Sequence, residues 1–216
     1  MKVLNAILDL IFPPKCISCG KSNTDFCLKC FSKCPQAERE SAEWIFPLYD
    51  YRYPPIKKAM WLLKYKGKRR IADLFAEIMY ERIIEELSDL KLMENFCKPI
   101  LIPIPLAPRR MRERGFNQAE LICQKLIKLD NKKNFEFKNN VLLKPKDTEH
   151  QALIKDRQKR LKNLVGSFVI KNAQFIKNRN IILIDDISTT GATFSEARKT
   201  LKEAGTKKII AFAIAH

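Results

Sequence analysis

The sequence predicts an α/β domain with a mainly parallel sheet, preceded by a small cysteine-rich module. Two observations support this prediction. From residue 44 onward, apolar stretches of strand length alternate with amphipathic helical stretches, a pattern typical of parallel sheets that carry helices on their faces. Before that point, cysteines recur as two closely spaced pairs. We therefore divide the chain into a module at 1–43 and a main domain at 44–216.

The composition is that of a folded globular protein with a large positive charge. Of the 216 residues, 46% are hydrophobic, and no segment approaches the roughly 20 apolar residues that span a bilayer. We therefore expect a soluble, cytoplasmic protein, and we interpret 1–12 as a short packing helix rather than a signal peptide. The net charge of +17 favours phosphate-bearing partners, although a Lys-rich genome composition is an alternative explanation.

The cysteine pairs near the N-terminus predict a zinc site. Cys16-x-x-Cys19 and Cys27-x-x-Cys30 form two turns, each of which places two thiolates on one side of a tight loop. Two such turns facing each other make the tetrahedral four-sulfur site that suits Zn²⁺ and leaves no open position for catalysis. Disulfides are the rival explanation, but they are rare in a reducing cytoplasm. We therefore predict a structural or interactive zinc-ribbon module, in which Cys34 could replace one ligand.

The elements of the main domain follow from hydrophobic spacing and from helix start and stop signals. Ile71, Leu74 and Ile78 recur at helical spacing, and Asn117 is the predicted N-cap of a later helix. The strand at 181–184 has no polar interruption, as expected for a central strand covered on both faces. In chain order the predictions are a strand or linker at 44–51, a new element from residue 54, a helix at 70–87, a strand at 99–106, a helix from residue 117, short strands at 141–143 and 167–170, a strand at 181–184, a helix at 193–204 and a strand at 208–215.

The strand at 181–184 leads into the segment that carries the predicted chemistry. Asp185 and Asp186 follow it, and then a hydroxyl-rich turn into a helix: Ser188, Thr189, Thr190, Gly191, Ala192 and Thr193. Amides, hydroxyls and the positive end of the helix dipole suit a phosphate, and two carboxylates can accept hydrogen bonds from vicinal hydroxyls. A Walker B strand is an alternative, but the GxxxxGK[ST] loop that it requires is absent from the sequence. A purely structural turn explains any one of these residues but not the whole run.

This run resembles the ribose-phosphate signature of type I phosphoribosyltransferases. The stretches 102–106 and 114–119, with Arg109, are similar to the ComF family, as are 63–67, the cysteine module, and Thr148, Gln151, Leu153 and Arg157. The resemblance covers almost the full length of the chain. It implies a type I phosphoribosyltransferase-like domain that binds phosphoribosyl pyrophosphate (PRPP) together with Mg²⁺.

The resemblance also implies a role for each part of the site. The 5-phosphate would lie in the loop at 188–193, and the ribose hydroxyls on Asp185 and Asp186, which are the expected catalytic residues. The pyrophosphate would lie on Arg109 and Arg114 of the loop at 106–116, under a mobile hood loop at 144–162. Guanidinium groups bind phosphate oxygens in pairs, which supports the arginine assignment; a solvated charge run is the alternative.

ComF-family proteins are implicated in DNA uptake during natural transformation. The resemblance therefore implies a PRPP-binding fold that handles incoming single-stranded DNA at the inner face of the membrane, with a DNA-uptake helicase or other competence proteins as partners. The predicted DNA contacts are Lys64, Tyr65, Lys66, Arg110 and Arg112. Tyr51, Tyr53, Trp61 and Tyr65 could serve as stacking platforms for bases; the alternative, above all for Trp61, is a place in the core, because Met60 and Leu63 share its helix. The alternatives are an active phosphoribosyltransferase in nucleobase salvage and an interaction scaffold that works through the zinc module.

Overall fold

The computed structural model of the chain describes residues 13–38, 42–145 and 165–216. The predicted helix at 1–12 and most of the predicted hood loop at 144–162 lie outside these residues. The strands are β1 (Ile45–Tyr49), β2 (Ile100–Pro103), β3 (Glu136–Phe137), β4 (Leu142–Leu143), β5 (Val169–Ile170), β6 (Ile181–Ile187) and β7 (Ile209–Ala215). The helices are α1 (Leu28–Phe31), α2 (Pro54–Tyr65), α3 (Arg70–Glu94), α4 (Pro108–Arg114), α5 (Gln118–Leu129) and α6 (Ala192–Glu203), with a 3-10 turn at Ala173–Phe175. None of the helices in the described part of the chain combines the length and the apolar character that a membrane span requires.

Five of these strands form a parallel sheet in the order β1-β7-β6-β2-β3. The register is fixed at its centre by Ile182 of β6, which pairs with Leu101 of β2 and Ile210 of β7. The strands β4 and β5 form a separate antiparallel pair. The predicted α/β fold with a mainly parallel sheet is thus confirmed. Because β2 and β6 are neighbours, the loops that follow them meet at one carboxyl edge, where ligands bind in open α/β sheets.

Helices cover both faces of the sheet, because successive strand side chains point to opposite sides. On one face, Leu101, Ile182 and Phe212 pack with α2, α3 and α5. On the other face, Ile102 and Leu183 pack with α6 and with the β4-β5 pair. Both β6 and β7 are buried through most of their length. Burial on both faces explains why the sequences of these two strands are nearly continuous apolar runs.

The cysteine module packs directly on the main domain. The ring of Phe31 in α1 lies edge-on to Tyr49 of β1, at 4.8 Å between centroids, and 6.0 Å from Phe75 of α3. Lys68 Nζ, in the turn between α2 and α3, lies 3.2 Å from Asp25 Oδ1 of the module. The module therefore shares the hydrophobic core of α2 and α3, and it contacts the turn that follows α2.

The structure differs from the sequence prediction at the arginine-rich stretch. The loop expected at 106–116 contains helix α4, which begins at Pro108 and is followed by Gly115 in the left-handed conformation, with φ of +73°. Proline at the first helical position and glycine just after the last are ordinary helix boundaries. None of the seven residues of α4 is buried. The apolar periodicity that predicts the longer helices is therefore missing from this one.

Candidate functional site

A cavity of about 310 Å³ lies at the carboxyl edge of the sheet, between the ends of β2 and β6 and helix α2. It brings together most of the predicted ligand-binding and DNA-binding residues: Lys64, Tyr65, Arg110, Arg114, Asp185, Asp186, Ser188, Thr189, Thr190, Gly191, Ala192 and Thr193. Of the other predicted site residues, Lys66, Arg109 and Arg112 lie outside its lining. The cavity thus joins the loop after β6 to the arginines of α4 and to the end of α2.

The loop between β6 and α6 has the features of a phosphate cradle. Ser188 N donates a hydrogen bond of 2.9 Å to Ala215 O of β7, which fixes the start of the loop on the sheet. Gly191 adopts φ of +70°, and α6 begins at the next residue, so the first amides of that helix lie at the cavity wall. Ala192 N lies 3.4 Å from Thr190 Oγ1. Amides, hydroxyls and the positive end of the helix dipole together suit an anion.

Gly191 is the loop position at which we expect a side chain to be least tolerated. A Cβ there would lie 3.1 Å from Ile45 Cδ1, in a backbone conformation that disfavours other residues. Gly191→Ala is expected to lower the free energy of unfolding by about 1–2 kcal/mol from the left-handed conformation alone, and further through the contact. Gly115→Ala is the matched control, since φ is +73° there and nothing lies within 4 Å of the added Cβ. Equal losses in urea denaturation would contradict the close approach to Ile45.

The two aspartates at the end of β6 share a crowded electrostatic environment. Asp186 is buried, and its Oδ1 lies 3.0 Å from Lys64 Nζ, so the lysine predicted as a DNA contact lies inside the cavity. Asp185 Oδ1 accepts a hydrogen bond of 2.8 Å from Asp186 N. Burial and the charge of Asp186 raise the pKa of Asp185 to about 7, against the opposing effects of the Asp186 amide, Lys64 and Lys144. Repulsion between the two carboxylates is what a bound cation or a hydroxyl donor would relieve.

The raised pKa of Asp185 predicts a pH dependence of stability. Between its ordinary value of 3.8 and about 7, the folded protein holds this proton more tightly than the unfolded chain does. The contribution of Asp185 to the free energy of unfolding therefore falls as the pH rises through this window and is constant above it. Asp185→Asn is expected to remove this slope when urea denaturation is compared at about pH 5 and pH 7.5. An unchanged slope in the variant would show that the folded-state pKa is ordinary.

Two buried polar atoms in the cavity wall, Ser188 Oγ and Gln118 Nε2, have no hydrogen-bond partner among the described residues. The two residues are only 4% and 1% exposed. Gln118 was not predicted as a site residue, although it directly follows the N-cap Asn117. Its Oε1 accepts a hydrogen bond of 2.9 Å from Arg114, whose guanidinium lies 5.5 Å from the ring centroid of Tyr65. Because buried donors normally have an acceptor, these two atoms are available to an oxygen atom of a bound ligand or of a water molecule.

Helix α4 divides the four arginines between two faces. Arg110 and Arg114 both line the cavity, as residues four apart on one helix face can. Arg109 Nε instead bonds Glu113 Oε1 at 2.9 Å on the exposed surface, and Arg112 is exposed as well. The structure therefore brings Arg110 and Arg114 to the cavity, where the sequence prediction named Arg109 and Arg114. The difference arises because the sequence predicts a loop here, whereas the stretch is a helix, on which residues four apart share a face.

Aromatic and basic side chains form a rim beside the cavity, which we call the aromatic rim: Trp61, Tyr65 and Lys66. Trp61 and Tyr65 are 47% and 56% exposed, with ring centroids 6.2 Å apart. Lys66 Nζ lies 5.4 Å from the Trp61 ring. Of the two roles that the sequence leaves open for Trp61, the core role is wrong, because the buried face of α2 is formed by its neighbours Met60 and Leu63. Exposed aromatic rings beside cations are the side chains on which nucleobases stack.

The four predicted cysteine ligands form a cluster in the module. The Sγ atoms of Cys16, Cys19, Cys27 and Cys30 lie within 4.8 Å of one another, and those of Cys19 and Cys27 are 3.7 Å apart. Sulfurs bonded to Zn²⁺ at about 2.3 Å in a tetrahedron are about 3.8 Å apart, so the cluster fits zinc. Cys34 lies outside the cluster, with its Sγ 3.7 Å from Cys30 O. Burial raises the pKa of Cys34 to about 11, which keeps it a thiol.

A parallel sheet with an acid pair and a hydroxyl-rich loop at its carboxyl edge defines an α/β domain, here joined to a four-cysteine module. Solved structures that overlap with part of the chain include a hypoxanthine phosphoribosyltransferase of Trypanosoma cruzi, with a TM-score of 0.42, 10% identity and coverage of 67% of this chain and 64% of that one. Another is the hypoxanthine-guanine phosphoribosyltransferase of L. donovani, with a TM-score of 0.40, 11% identity and coverage of 67% and 71%. No protein-family model matches the chain.

Sequence relatives are named for competence and for DNA utilization. Competence protein F of Haemophilus influenzae is 29% identical over 206 residues, which cover 94% of this chain and 84% of that protein. The DNA utilization protein YhgH of Escherichia coli K12 is 25% identical over 88% of this chain and 78% of that protein. Competence protein ComFC of Streptococcus pneumoniae is 32% identical over 70% of this chain and 59% of that protein. These relatives confirm the resemblance to the ComF family, and the chain is a homologue of competence protein F, ComFC and YhgH.

Proposed function

We propose that the protein binds PRPP with Mg²⁺ in the cavity and single-stranded DNA along its basic surface, and that it serves DNA uptake during natural transformation. The observation that carries the proposal is the cavity itself. Its loop after Asp185 and Asp186 contains the buried hydroxyl of Ser188, which has no hydrogen-bond partner within residues 13–38, 42–145 and 165–216. Relatives named for competence and DNA utilization support the proposed role in DNA uptake. In this proposal the protein acts in the cytoplasm, at the inner face of the membrane, with a DNA-uptake helicase or other competence proteins.

The residues of the cavity divide the ligand between them. The loop at 188–193 would hold the 5-phosphate, and Asp185 and Asp186 would accept hydrogen bonds from the ribose hydroxyls. Arg110 and Arg114, which line the cavity, would bind the pyrophosphate; Arg109, the other arginine expected from the sequence, would have to leave Glu113 to join them. Carboxylate oxygens are hard ligands of the kind that Mg²⁺ prefers, so the acid pair fits that ion, which would supply positive charge to the phosphates.

Single-stranded DNA binding is proposed for the exposed cations outside the cavity together with the aromatic rim. Filter binding of oligothymidylate over a salt series is expected to show an affinity that falls steeply as salt rises, because binding releases counterions from the phosphates. Lys66→Ala and Arg112→Ala are each expected to weaken binding and to reduce the salt slope by about 1. Lys132→Ala is the matched control, because this exposed lysine is remote from the cavity. Helix α5 begins at the cavity and ends at the opposite edge of the sheet, and Lys132 follows its last residue. Undetectable binding at low salt would exclude the DNA half of the proposal.

Transfer activity is a separate question from ligand binding. In an active phosphoribosyltransferase, a nitrogen nucleophile would displace pyrophosphate from the ribose carbon, and the arginines and metal would stabilise the departing charge. Pyrophosphate release from PRPP and Mg²⁺, measured with a panel of nucleobases, distinguishes an enzyme in nucleobase salvage from a protein that only binds PRPP. Turnover with any base would establish the enzyme. Binding without turnover would make PRPP a bound regulator.

A further inference from the structure

The inner end of the cavity is closed by the sheet. Asp186, Ser188 and Ala192 are 7%, 4% and 5% exposed, and Gly191 is buried against the side chain of Ile45 in β1. Ser188 N is bonded to β7, so the loop lies directly on two strands. A phosphate in the middle of a nucleic acid strand is bonded to a nucleotide on each side, so its binding site must be open in two directions. A loop backed by β1 and β7 suits a terminal phosphate, which is bonded to a nucleotide on one side only.

The donors of the loop also match a terminal phosphate. A phosphate monoester carries a charge near −1.5 to −2 and offers three strong acceptor oxygens, whereas a diester carries one charge on two such oxygens. The loop offers the Thr190 hydroxyl, the first amides of α6 and the Ser188 hydroxyl, which is buried and has no partner among the described residues. This number of donors, with the helix dipole behind them, favours the more highly charged ligand.

The open side of the cavity leads to the aromatic rim. Trp61 and Tyr65 line the cavity and are also about half exposed, so their rings belong both to the site and to the outer surface. Arg114 lies over the ring of Tyr65, and Lys66 over the ring of Trp61. A cavity of about 310 Å³ is at the small end of ligand pockets, enough for one phosphorylated sugar with its base rather than for a passing strand. The rim offers aromatic stacking surfaces and cations to a base or a further nucleotide attached to that sugar.

From these three features we infer that the phosphate loop takes only phosphate monoesters, and that the 5′-phosphate end of a single DNA strand is one of its ligands. The 5′ end is expected rather than the 3′ end because the proposed ligand also carries this phosphate on its 5-carbon, with the other side of the sugar toward Asp185 and Asp186. The inference rests on the proposed phosphate site and adds a second ligand with the same 5-phosphate group as PRPP. The terminal nucleotide enters the cavity, and the following nucleotides run over the aromatic rim. Because the 3′-hydroxyl of that nucleotide is esterified and the 2′-hydroxyl is missing, Asp185 and Asp186 find no free diol, and the strand end binds more weakly than PRPP.

The test compares three oligothymidylates of equal length, each with an internal fluorophore, that end in a 5′-phosphate, a 3′-phosphate or no phosphate. Fluorescence anisotropy is expected to show at least about tenfold tighter binding of the 5′-phosphorylated strand, the effect of one charge-assisted hydrogen bond or more. The 3′-phosphorylated strand carries the same charge, so it controls for general electrostatic attraction. Excess PRPP with Mg²⁺ is expected to abolish the preference while binding of the unphosphorylated strand remains.

Ser188→Ala is the variant that isolates the loop. Its hydroxyl has no partner in the described part of the chain, so its removal is expected to leave the melting temperature unchanged or raised while the preference for the 5′-phosphate falls severalfold. Equal binding of the 5′- and 3′-phosphorylated strands would overturn the inference. Calorimetry with PRPP and Mg²⁺ then identifies the cause. If PRPP binds, only the recognition of strand ends is wrong; if PRPP does not bind, the proposed phosphate site is wrong as well.

Discussion

Replacing both aspartates at the end of β6 by asparagine is expected to weaken binding of PRPP with Mg²⁺ by at least about 100-fold. Each carboxylate is proposed to accept a charge-assisted hydrogen bond from a ribose hydroxyl, and such bonds contribute about 1.5–3 kcal/mol each. Asparagine keeps the shape of the side chain and removes the charge that the metal and the hydroxyls require. Isothermal titration calorimetry of native protein and the Asp185→Asn, Asp186→Asn double variant measures the loss directly.

The design must separate a lost contact from a damaged fold. Asp186 is paired with Lys64 inside the cavity, so the double variant leaves a largely buried ammonium without its partner. Asp185→Asn alone keeps that ion pair and is still expected to weaken binding by about tenfold or more. Asp89→Asn, at an exposed position on α3, controls for the change in net charge. The proposed ribose contact is wrong if the native protein and the double variant give the same heat with PRPP and Mg²⁺.

The parts of the site that lie together in the chain could be predicted from the sequence. The strand at 181–184, the acid pair and the hydroxyl-rich turn are one continuous stretch. In the structure β6 runs through both acids to Ile187, and the acids and the turn line the cavity. The N-cap is a local feature as well, and it is confirmed: Asn117 Oδ1 accepts a hydrogen bond of 2.9 Å from Ala119 N. The spacing of the two Cys-x-x-Cys turns likewise predicts which four cysteines form the cluster.

The parts that depend on packing between distant elements could not be predicted. Nothing in the sequence around Lys64 shows that its ammonium turns inward to Asp186, because the pairing arises only when α2 lies beside the end of β6. Gln118 Nε2, which has no hydrogen-bond partner in the part of the chain that the structure describes, could be identified only from the position of α5, which begins in the cavity wall. Helix α4 has no buried side chain, so no hydrophobic period reveals that Arg110 and Arg114 share a face.

Removal of the Zn²⁺ that we propose for the four-cysteine cluster is expected to destabilise the main domain as well as the module. The module has too few apolar residues to fold alone, and zinc coordination contributes apparent free energies of about 10–16 kcal/mol in small zinc domains. Its Phe31 packs on Tyr49 and Phe75, so unfolding of the module would expose the shared core. Cys27→Ser is therefore expected to cost at least about 4 kcal/mol, which corresponds to a fall of roughly 8–16 °C in the melting temperature for a chain of this size. Thermal melting with and without a zinc chelator, and the zinc content of the purified protein, are the measurements.

Two other cysteines make the zinc prediction specific. Cys97→Ser changes an exposed thiol that is not part of the cluster and is expected to leave both zinc content and melting temperature unchanged. Cys34→Ser tests the alternative ligand: because its thiol is buried beside the cluster but not within it, we expect one zinc per chain with a modest loss of stability from the buried hydroxyl. If Cys34→Ser released the metal while Cys30→Ser retained it, the cluster would be formed by Cys34 in place of Cys30. If the chelator left the melting temperature of the native protein unchanged, the module would be held together by packing alone.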